Sequence, residues 1–164
     1  MIFNDRYNQI IESNSSSSGE PSRVVTDIGN VFYYKYPGSR TLHNPNGPAI
    51  IYHSDEGGVG DREWFIDGDR HRIDGPAVVR ENGDREWWVN DKRHRLDGPA
   101  VIKYKTEKQW WVDDHLHRTD GPAIVTARGY TEWWIKGTQL WQSEIDVMTA
   151  KSRDDVSNVL GKYL

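Results

Sequence analysis

Three copies of a short pattern carry side chains that can perform acid–base chemistry. His-Arg-x-Asp occurs at residues 71–74, 94–97 and 117–120. In a single site, His can act as a base, Arg can bind an anion and Asp can orient the imidazole. A catalytic set is needed only once, whereas a set that recurs at a fixed interval is typical of a structural ladder. We therefore expect a structural role for these residues, with Arg and Asp pairing to their counterparts in neighbouring units: His71, His94 and His117; Asp74, Asp97 and Asp120; and the adjoining Gly75, Gly98 and Gly121.

The repeated histidines do not form a convincing metal site. Equivalent positions two strands apart in an antiparallel sheet are separated by about 9 to 10 Å, whereas a Zn–N bond is about 2.0 Å long. His71, His94 and His117 therefore cannot easily converge on one ion. His115 and His117 are closer but lack a third ligand. The sequence predicts no metal and no cofactor.

Pairs of adjacent aromatic residues extend the same 23-residue period. They are Trp64-Phe65, Trp87-Trp88, Trp110-Trp111 and Trp133-Trp134. Tyr33-Tyr34 and the longer segment 42–49 form a degenerate first copy, as expected of a terminal repeat. Each unit of a repeat protein buries its apolar face against its neighbours, so this period determines the architecture.

Each unit has the composition of a β-hairpin. In one unit, β-rich segments at 77–80 and 86–89 flank Asn82-Gly83, which is a strong hairpin signal. Two strands and two turns in each repeat leave about 5 to 6 residues per strand. The prediction is an all-β protein, an elongated antiparallel meander of about four to five hairpin repeats followed by a C-terminal α-helical segment.

This interpretation divides the chain into three segments. Residues 1–22 form an N-terminal segment, with a short helix over 3–12 and a Ser-rich linker. Residues 23–141 form the repeat domain. Residues 142–164 form a helix that Ser143 caps, and this helix either closes the end of the sheet or binds a partner.

Composition excludes some classes of function. The chain has 164 residues, a formal net charge of −4 and no cysteine. The charge argues against coating a long nucleic acid, and the absence of cysteine excludes disulfides and thiolate metal sites. No stretch approaches the roughly 20 apolar residues of a membrane span, so we expect a cytoplasmic protein without a transmembrane segment.

The spacing of Trp88, a turn residue and His94 resembles the MORN repeat, which places Trp, Gly and His at these intervals. Phe65, Gly68 and His71 fit the same pattern, whereas Arg72, Arg95 and Arg118 replace a glycine of that repeat. The chain is thus similar to a divergent MORN-like class found in uncharacterised repeat proteins of large phages and giant viruses. The resemblance implies an elongated sheet that contacts proteins or membranes.

Strand alternation places the two aromatic columns on opposite faces, and the column that does not form the core becomes the candidate binding surface. The leading hypothesis is a non-enzymatic protein-binding module, an inhibitor or adaptor that acts on a host protein if a phage encodes it. The candidate partner-binding residues are Phe65, Trp88, Trp111, Trp134, Arg72, Arg95 and Arg118.

Two alternatives remain open at this stage. Trp and Arg can cage a small nucleotide, because bases stack on both groups. A hydrolytic enzyme would need a cluster that occurs once, and 53–56 (His-Ser-Asp-Glu) is the only candidate. Exposed end strands also leave homo-oligomerisation open.

Overall fold

A computed structural model of the chain describes residues 10–14, 21–26, 28–54 and 58–151. Within these ranges lie nineteen strands and one helix. In chain order they are β1 (Ile10–Asn14), β2 (Ser22–Thr26), β3 (Val31–Tyr34), β4 (Ile50–His53), β5 (Val59–Glu63), β6 (Phe65–Ile66), β7 (Asp69–Arg70), β8 (Val78–Val79), β9 (Arg85–Glu86), β10 (Trp88–Val89), β11 (Lys92–Arg93), β12 (Val101–Lys103), β13 (Glu107–Gln109), β14 (Trp111–Val112), β15 (His115–Leu116), β16 (Ile124–Thr126), β17 (Thr131–Glu132), β18 (Trp134–Ile135), β19 (Thr138–Gln139) and α1 (Gln142–Lys151).

Eleven of the described strands form one antiparallel sheet, which we call the main sheet. Its order is β1-β2-β3-β4-β5-β8-β9-β12-β13-β16-β17, so each strand pairs with the next strand of the sheet along the chain. The remaining described strands form short hairpins, one per unit: β6-β7, β10-β11, β14-β15 and β18-β19. The predicted all-β meander with a C-terminal helix is confirmed.

The predicted strand at 86–89 is interrupted at its first tryptophan. β9 ends at Glu86 and β10 begins at Trp88. The N–H of Trp87 donates to the carbonyl of Ala100 at 2.8 Å, and its own carbonyl accepts the N–H of His94 at 3.1 Å. The backbone therefore changes partners at Trp87, from the main sheet to the short hairpin. The longer strands expected from the sequence are wrong from β8 onward, where every described strand has two or three residues.

Turn chemistry explains why each full unit contains a second hairpin. Asn90 and Asp91 both have positive φ, 49° and 59°. Two consecutive residues with positive φ make a type I′ turn, which Asn, Asp and Gly tolerate best. The equivalent positions hold Asp67-Gly68, Asp113-Asp114 and Lys136-Gly137, also with positive φ.

Neighbouring hairpins are joined by backbone hydrogen bonds. The N–H of Arg72 donates to the carbonyl of Trp88 at 3.0 Å, and the N–H of Asp91 donates to the carbonyl of Arg70 at 3.0 Å. One unit later, the N–H of Arg95 donates to the carbonyl of Trp111 at 3.1 Å, and the N–H of Asp114 donates to the carbonyl of Arg93 at 3.0 Å. The hairpins thus form a second hydrogen-bonded layer that runs alongside the main sheet.

The core is narrow and follows a column of small residues. The alanine of each Gly-Pro-Ala segment is completely inaccessible to solvent, and Val78 is 1% exposed. These alanines are Ala49, Ala77, Ala100 and Ala123. Each precedes a strand of the main sheet, at the position where the two layers meet. A larger side chain has no room there, so alanine is required by packing.

Helix α1 ends the array of repeats. Trp141 lies 23 residues after Arg118 and is the equivalent residue of the last unit. In the earlier units, the backbone N–H at this position bonds to the next hairpin. The N–H of Trp141 instead donates to Oε2 of Glu144 at 2.7 Å, and the Trp141 carbonyl accepts the N–H groups of Glu144 and Ile145. This is the reciprocal bond of a capping box. The helix therefore begins at Gln142 with Trp141 as its cap, and the prediction of Ser143 as the cap is wrong.

Several predictions concern the ends of the chain. Residues 10–12 belong to strand β1 rather than to the helix expected over 3–12. Residues 3–9, most of the Ser-rich linker and the helical continuation beyond 151 lie outside the described residues. Over the ranges that the structure does describe, no helix is long and apolar enough to span a bilayer.

Ala100→Leu should destabilise the repeat domain by about 1 to 3 kcal/mol, because the added volume must displace both layers at a closed position. Chemical denaturation followed by tryptophan fluorescence measures the change. Thr119→Leu, at an exposed loop position, is the matched control and should alter the free energy of unfolding by less than about 0.5 kcal/mol. Equal effects of the two substitutions would contradict this account of the core.

Candidate functional site

In three of the four pairs, the first tryptophan carries an arginine on its ring. The guanidinium carbon of Arg72 lies 4.2 Å from the centre of the Trp64 ring, that of Arg95 lies 4.1 Å from Trp87, and that of Arg118 lies 3.9 Å from Trp110. Such cation–π contacts contribute roughly 0.5 to 2 kcal/mol, more when desolvated. Arg therefore holds the loop that follows the hairpin against the ring that precedes it.

Glycine closes the other side of each guanidinium. A Cβ atom added at Gly75 would lie 3.0 Å from the guanidinium carbon of Arg72, and the corresponding distances at Gly98 and Gly121 are 3.1 and 2.9 Å. The arginine is thus enclosed between an indole ring and glycine backbone. We call this arrangement the Trp–Arg–Gly sandwich.

Each of these arginines pairs with an aspartate of its own unit. Nε of Arg95 donates to Oδ1 of Asp97 at 2.8 Å, and Nη1 donates to the Pro99 carbonyl at 3.3 Å. Arg72 with Asp74 and Arg118 with Asp120 repeat the 2.8 Å bond. The expected pairing between neighbouring units is therefore not found, because the loop curls within four residues and brings its own carboxylate to the guanidinium.

These bonds change the acidity of the carboxyl groups. The hydrogen bond from Arg95, followed by the charge of its guanidinium, lowers the pKa of Asp97 below its usual value. The same cause lowers the pKa of Asp74 and of Asp120. All three carboxylates remain ionised at neutral pH and project into solvent, with side chains about 80% exposed.

The repeated histidines connect one unit to the next. Nδ1 of His117 accepts the N–H of Lys136 at 3.1 Å. Nδ1 of His71 lies 2.8 Å from Oδ1 of Asn90 and 3.3 Å from its backbone N, and Nδ1 of His94 lies 3.0 Å from Oδ1 of Asp113 and 3.4 Å from its backbone N. Each imidazole therefore contacts the first residue of the next type I′ turn. Within the described residues, no group of three His, Cys, Asp or Glu side chains could hold a metal ion.

The second aromatic column lies where the two layers meet. Phe65 is 7% exposed and belongs to the core cluster with Ala49 and Ile50, so its ring offers little surface to a partner. Trp88 and Trp111 are half-buried, and their indole N–H groups donate to Glu86 at 3.0 Å and Gln109 at 2.8 Å. Trp134 is bound to Glu132 in the same way, at 2.7 Å.

Two arginines that the sequence interpretation did not single out lie between these rings. Arg93 stacks over Trp111 at 3.8 Å and lies 5.6 Å from Trp88. Arg70 lies 5.2 Å from Phe65 and 5.7 Å from Trp88. Both directly precede a repeated histidine. The recurrence of arginine at this position after 23 residues is the sequence signal that could have identified them. The second aromatic column is therefore used largely within the fold.

A different surface is left open, at the tips of the loops. The loops at 71–76, 94–99 and 117–122 form what we call the loop ridge. The variable residue of the His-Arg-x-Asp pattern is exposed in these loops. Ile73 is 76% exposed and Leu96 is 80% exposed. Between the second and third loops lies an open groove of about 570 Å³, whose lining includes Leu96, Asp97, Trp110, Val112, Arg118 and Asp120.

The segment proposed for hydrolysis does not assemble as a triad in the described residues. Oγ of Ser54 donates to Oε1 of Glu81 at 2.6 Å. The backbone N–H of His53 donates to Oδ1 of Asn30 at 2.8 Å, and its ring lies beside Gly29. Asp55 and Glu56 lie outside the described residues.

Comparison of the chain with protein-family models gives no match, and comparison with curated proteins gives none either.

Gly121→Ala should lower the melting temperature, because the new Cβ would approach the Arg118 guanidinium to 2.9 Å and push it off Trp110. The expected cost is about 1 kcal/mol, the scale of one cation–π contact. Gly58→Ala is the matched control, since nothing lies within 4 Å of a Cβ at that position. An unchanged melting temperature for Gly121→Ala would mean that the sandwich does not stabilise the fold.

The aspartates of the loop ridge should make stability depend on acidic pH. Their folded-state pKa values are lowered, so the stabilisation is present above the unfolded value of about 3.9 and is lost as the pH falls through the lower folded values. Thermal melts between pH 6 and pH 2 should show this loss. Asp97→Asn should flatten the dependence, whereas Thr119→Leu, which removes no carboxylate, should leave it unchanged. Identical curves for wild type and Asp97→Asn would contradict the pairing.

Proposed function

We propose that this chain is a non-enzymatic, MORN-like repeat module that binds another protein through the loop ridge. The observation that carries the proposal is the exposure of Ile73 and Leu96 at equivalent positions of successive loops. Large aliphatic side chains that are three-quarters exposed, in register, beside an open groove are typical of a contact surface.

The chemistry of the groove suits a protein partner. Trp110 and Arg118 line it, and Trp and Arg are enriched at interface hot spots. The Trp–Arg–Gly sandwich fixes both side chains before binding, which reduces the conformational entropy lost on association. Rigid loops on a repeated scaffold thus support a role as an adaptor or inhibitor.

The arrangement of the repeated polar residues supports a non-enzymatic role. Each His contacts the first residue of the next turn, and each Arg is stacked on Trp and bonded to Asp. These side chains already satisfy one another in the folded protein. They are therefore poor candidates for binding and turning over a substrate.

A small nucleotide fits the groove less well than a polypeptide does. The guanidiniums of Arg95 and Arg118 are already bonded to carboxylates. Asp97 and Asp120 line the groove with exposed negative charge, which would repel a phosphate. Arg118 already covers one face of the Trp110 ring. Calorimetry with a nucleotide panel is a useful second test, and no heat is expected.

Replacing both ridge residues, Ile73→Ser with Leu96→Ser, should reduce binding of the native partner at least tenfold without unfolding the chain, because both side chains are exposed. The partner is first captured from the source cells with tagged protein and identified by mass spectrometry. The affinity of the purified partner is then measured by calorimetry for wild type and variant.

Tyr36→Ser with Tyr130→Ser is the matched control, since these exposed aromatic side chains lie outside the ridge. The control should bind as wild type does. Full affinity in the ridge variant would exclude the loop ridge as the contact surface, and recovery of a stoichiometric nucleotide without a protein would favour sequestration.

A further inference from the structure

The register of the main sheet sorts its charged side chains by face. From β4 to β17, eight strands are paired so that two continuous rows of residues cross them, on opposite faces of the sheet. The first row is Ile50, Glu63, Val78, Glu86, Val101, Gln109, Ile124 and Glu132. The second row is Ile51, Arg62, Val79, Arg85, Ile102, Lys108, Val125 and Thr131.

The carboxylates of the first row are used within the fold. Glu63 is 5% exposed and accepts hydrogen bonds from Arg70 at 3.2 Å and Arg80 at 2.8 Å. Glu86 and Glu132 accept the indole N–H groups of Trp88 and Trp134. This face is the one that meets the short hairpins, and its carboxylates are hydrogen-bonded there.

The second row carries three cations and no carboxylate. We call it the cationic row. Arginines elsewhere in the repeats, such as Arg72, Arg80 and Arg93, form ion pairs with Asp or Glu. In the part of the chain that the structure describes, no carboxylate forms an ion pair with Arg62, Arg85 or Lys108. A protein of net charge −4 therefore has a sheet face of uncompensated positive charge.

The immediate surroundings of these cations leave their charge available. Nη1 of Arg85 donates to the carbonyls of Arg80 at 3.0 Å and Asp84 at 2.7 Å, which are neutral groups. Nε of Arg62 is buried and has no hydrogen-bond partner. This nitrogen has lost its hydration without gaining an acceptor, which is costly unless an anion compensates the charge. Lys108 is exposed.

From this charge segregation we infer that the cationic row is a second binding surface, and that its partner is an acidic, extended segment of another protein. The inference rests on the proposed function only in that the chain binds proteins; the surface is distinct from the loop ridge. Carboxylates of the partner would lie on Arg62, Arg85 and Lys108, and aliphatic side chains would lie on the half-buried Ile102 and Val125 beside them.

The spacing of the row matches a polypeptide. Successive cations are two strands apart, about 9 to 10 Å. Three residues of an extended chain span about 10 Å, so an acidic residue at every third position meets each cation in turn. Phosphates of a nucleic acid strand bring no aliphatic groups for the positions between the cations. The row alternates cation and aliphatic side chain from Ile51 to Val125, and although Val79 is buried, Ile51, Ile102 and Val125 are only half-buried, which favours the polypeptide.

Sheet twist disfavours a membrane as the partner. Adjacent strands in a sheet are rotated by about 20°, so eight strands accumulate roughly 140° of rotation. A flat bilayer would meet only part of such a row. An extended peptide can follow the twist along its whole length.

The test uses the full chain and fluorescently labelled synthetic peptides of twelve residues. One peptide repeats Glu-Val-Ser, with an acidic residue at every third position, and a second has the same composition with its glutamates clustered. Anisotropy should show binding of the spaced peptide at least tenfold tighter than of the clustered one. Affinity should fall as NaCl rises from about 50 to about 500 mM, because exposed charges are screened.

The binding variant is R62Q/R85Q/K108Q, and the matched control is K92Q/K105Q/K136Q, which removes three exposed cations outside the row. The affinity of the binding variant for the spaced peptide should be at least tenfold lower than that of wild type. The affinity of the control should be within twofold of wild type. If the triple variant does not fold, Lys108→Gln alone, at an exposed position, should weaken binding about threefold.

Several results would overturn the inference. One is equal affinity of the two peptides, and another is equal loss in the binding and control variants. Tighter, row-dependent binding of a twelve-nucleotide single strand, or of vesicles of equimolar phosphatidylcholine and phosphatidylserine, would assign the row to another class of partner. The ridge variant, Ile73→Ser with Leu96→Ser, should bind the spaced peptide normally. Failure of the cationic row thus leaves the loop ridge proposal untouched, and the reverse also holds.

Discussion

The Trp–Arg–Gly sandwich is the interaction on which the rest of the repeat depends. Each unit must leave the main sheet, form a short hairpin and return to the sheet within a single repeat. The chain leaves at the first tryptophan and returns at the next alanine, whose carbonyl accepts the N–H of that tryptophan, as Ala100 does from Trp87. The arginine holds the returning loop against the tryptophan ring at which the chain left the sheet. Glycine leaves room for the guanidinium because it has no Cβ atom. Together with the bond from the Trp87 N–H to the Ala100 carbonyl, this closure holds the hairpin against the main sheet.

The repeat divides its polar side chains between two tasks. The His and Arg of the loops satisfy backbone and side-chain partners, so residues that resemble a catalytic set are consumed in maintaining the architecture. The charged residues of the main sheet are divided by face, because successive side chains of a strand point in opposite directions. Consecutive Arg and Glu, as at Arg85-Glu86, therefore place opposite charges on opposite sides of one sheet. A chain that is acidic as a whole can in this way present a cationic surface.

The units are not equivalent along the array. Arg70 and Arg93 intercalate between aromatic rings, whereas Leu116 and Gln139 occupy the corresponding positions later in the chain. Arg80 and Lys103 bind the carboxylates of the strand beside them, and Thr126 replaces the cation in the next unit. Charged packing thus gives way to neutral packing toward the C-terminus. The array then ends where Leu140 replaces His and Glu144 takes the N–H that another hairpin would have bound.

The sequence by itself determined the period and the fold class. The 23-residue spacing of the aromatic pairs and of Gly-Pro-Ala can be read directly from the sequence. Strands and turns depend on residues that are close in sequence, so this spacing is enough to predict them. Only the tertiary structure decided the partners. Arg95 pairs with Asp97 rather than with a neighbouring unit because the loop curls on itself, and Trp88 turns inward because the strand breaks at Trp87. The second aromatic column therefore lies where the layers meet, and the surfaces that we propose for partners are the loop ridge and the cationic row. Which face of a strand meets another layer depends on contacts between residues distant in sequence, and no local pattern encodes them.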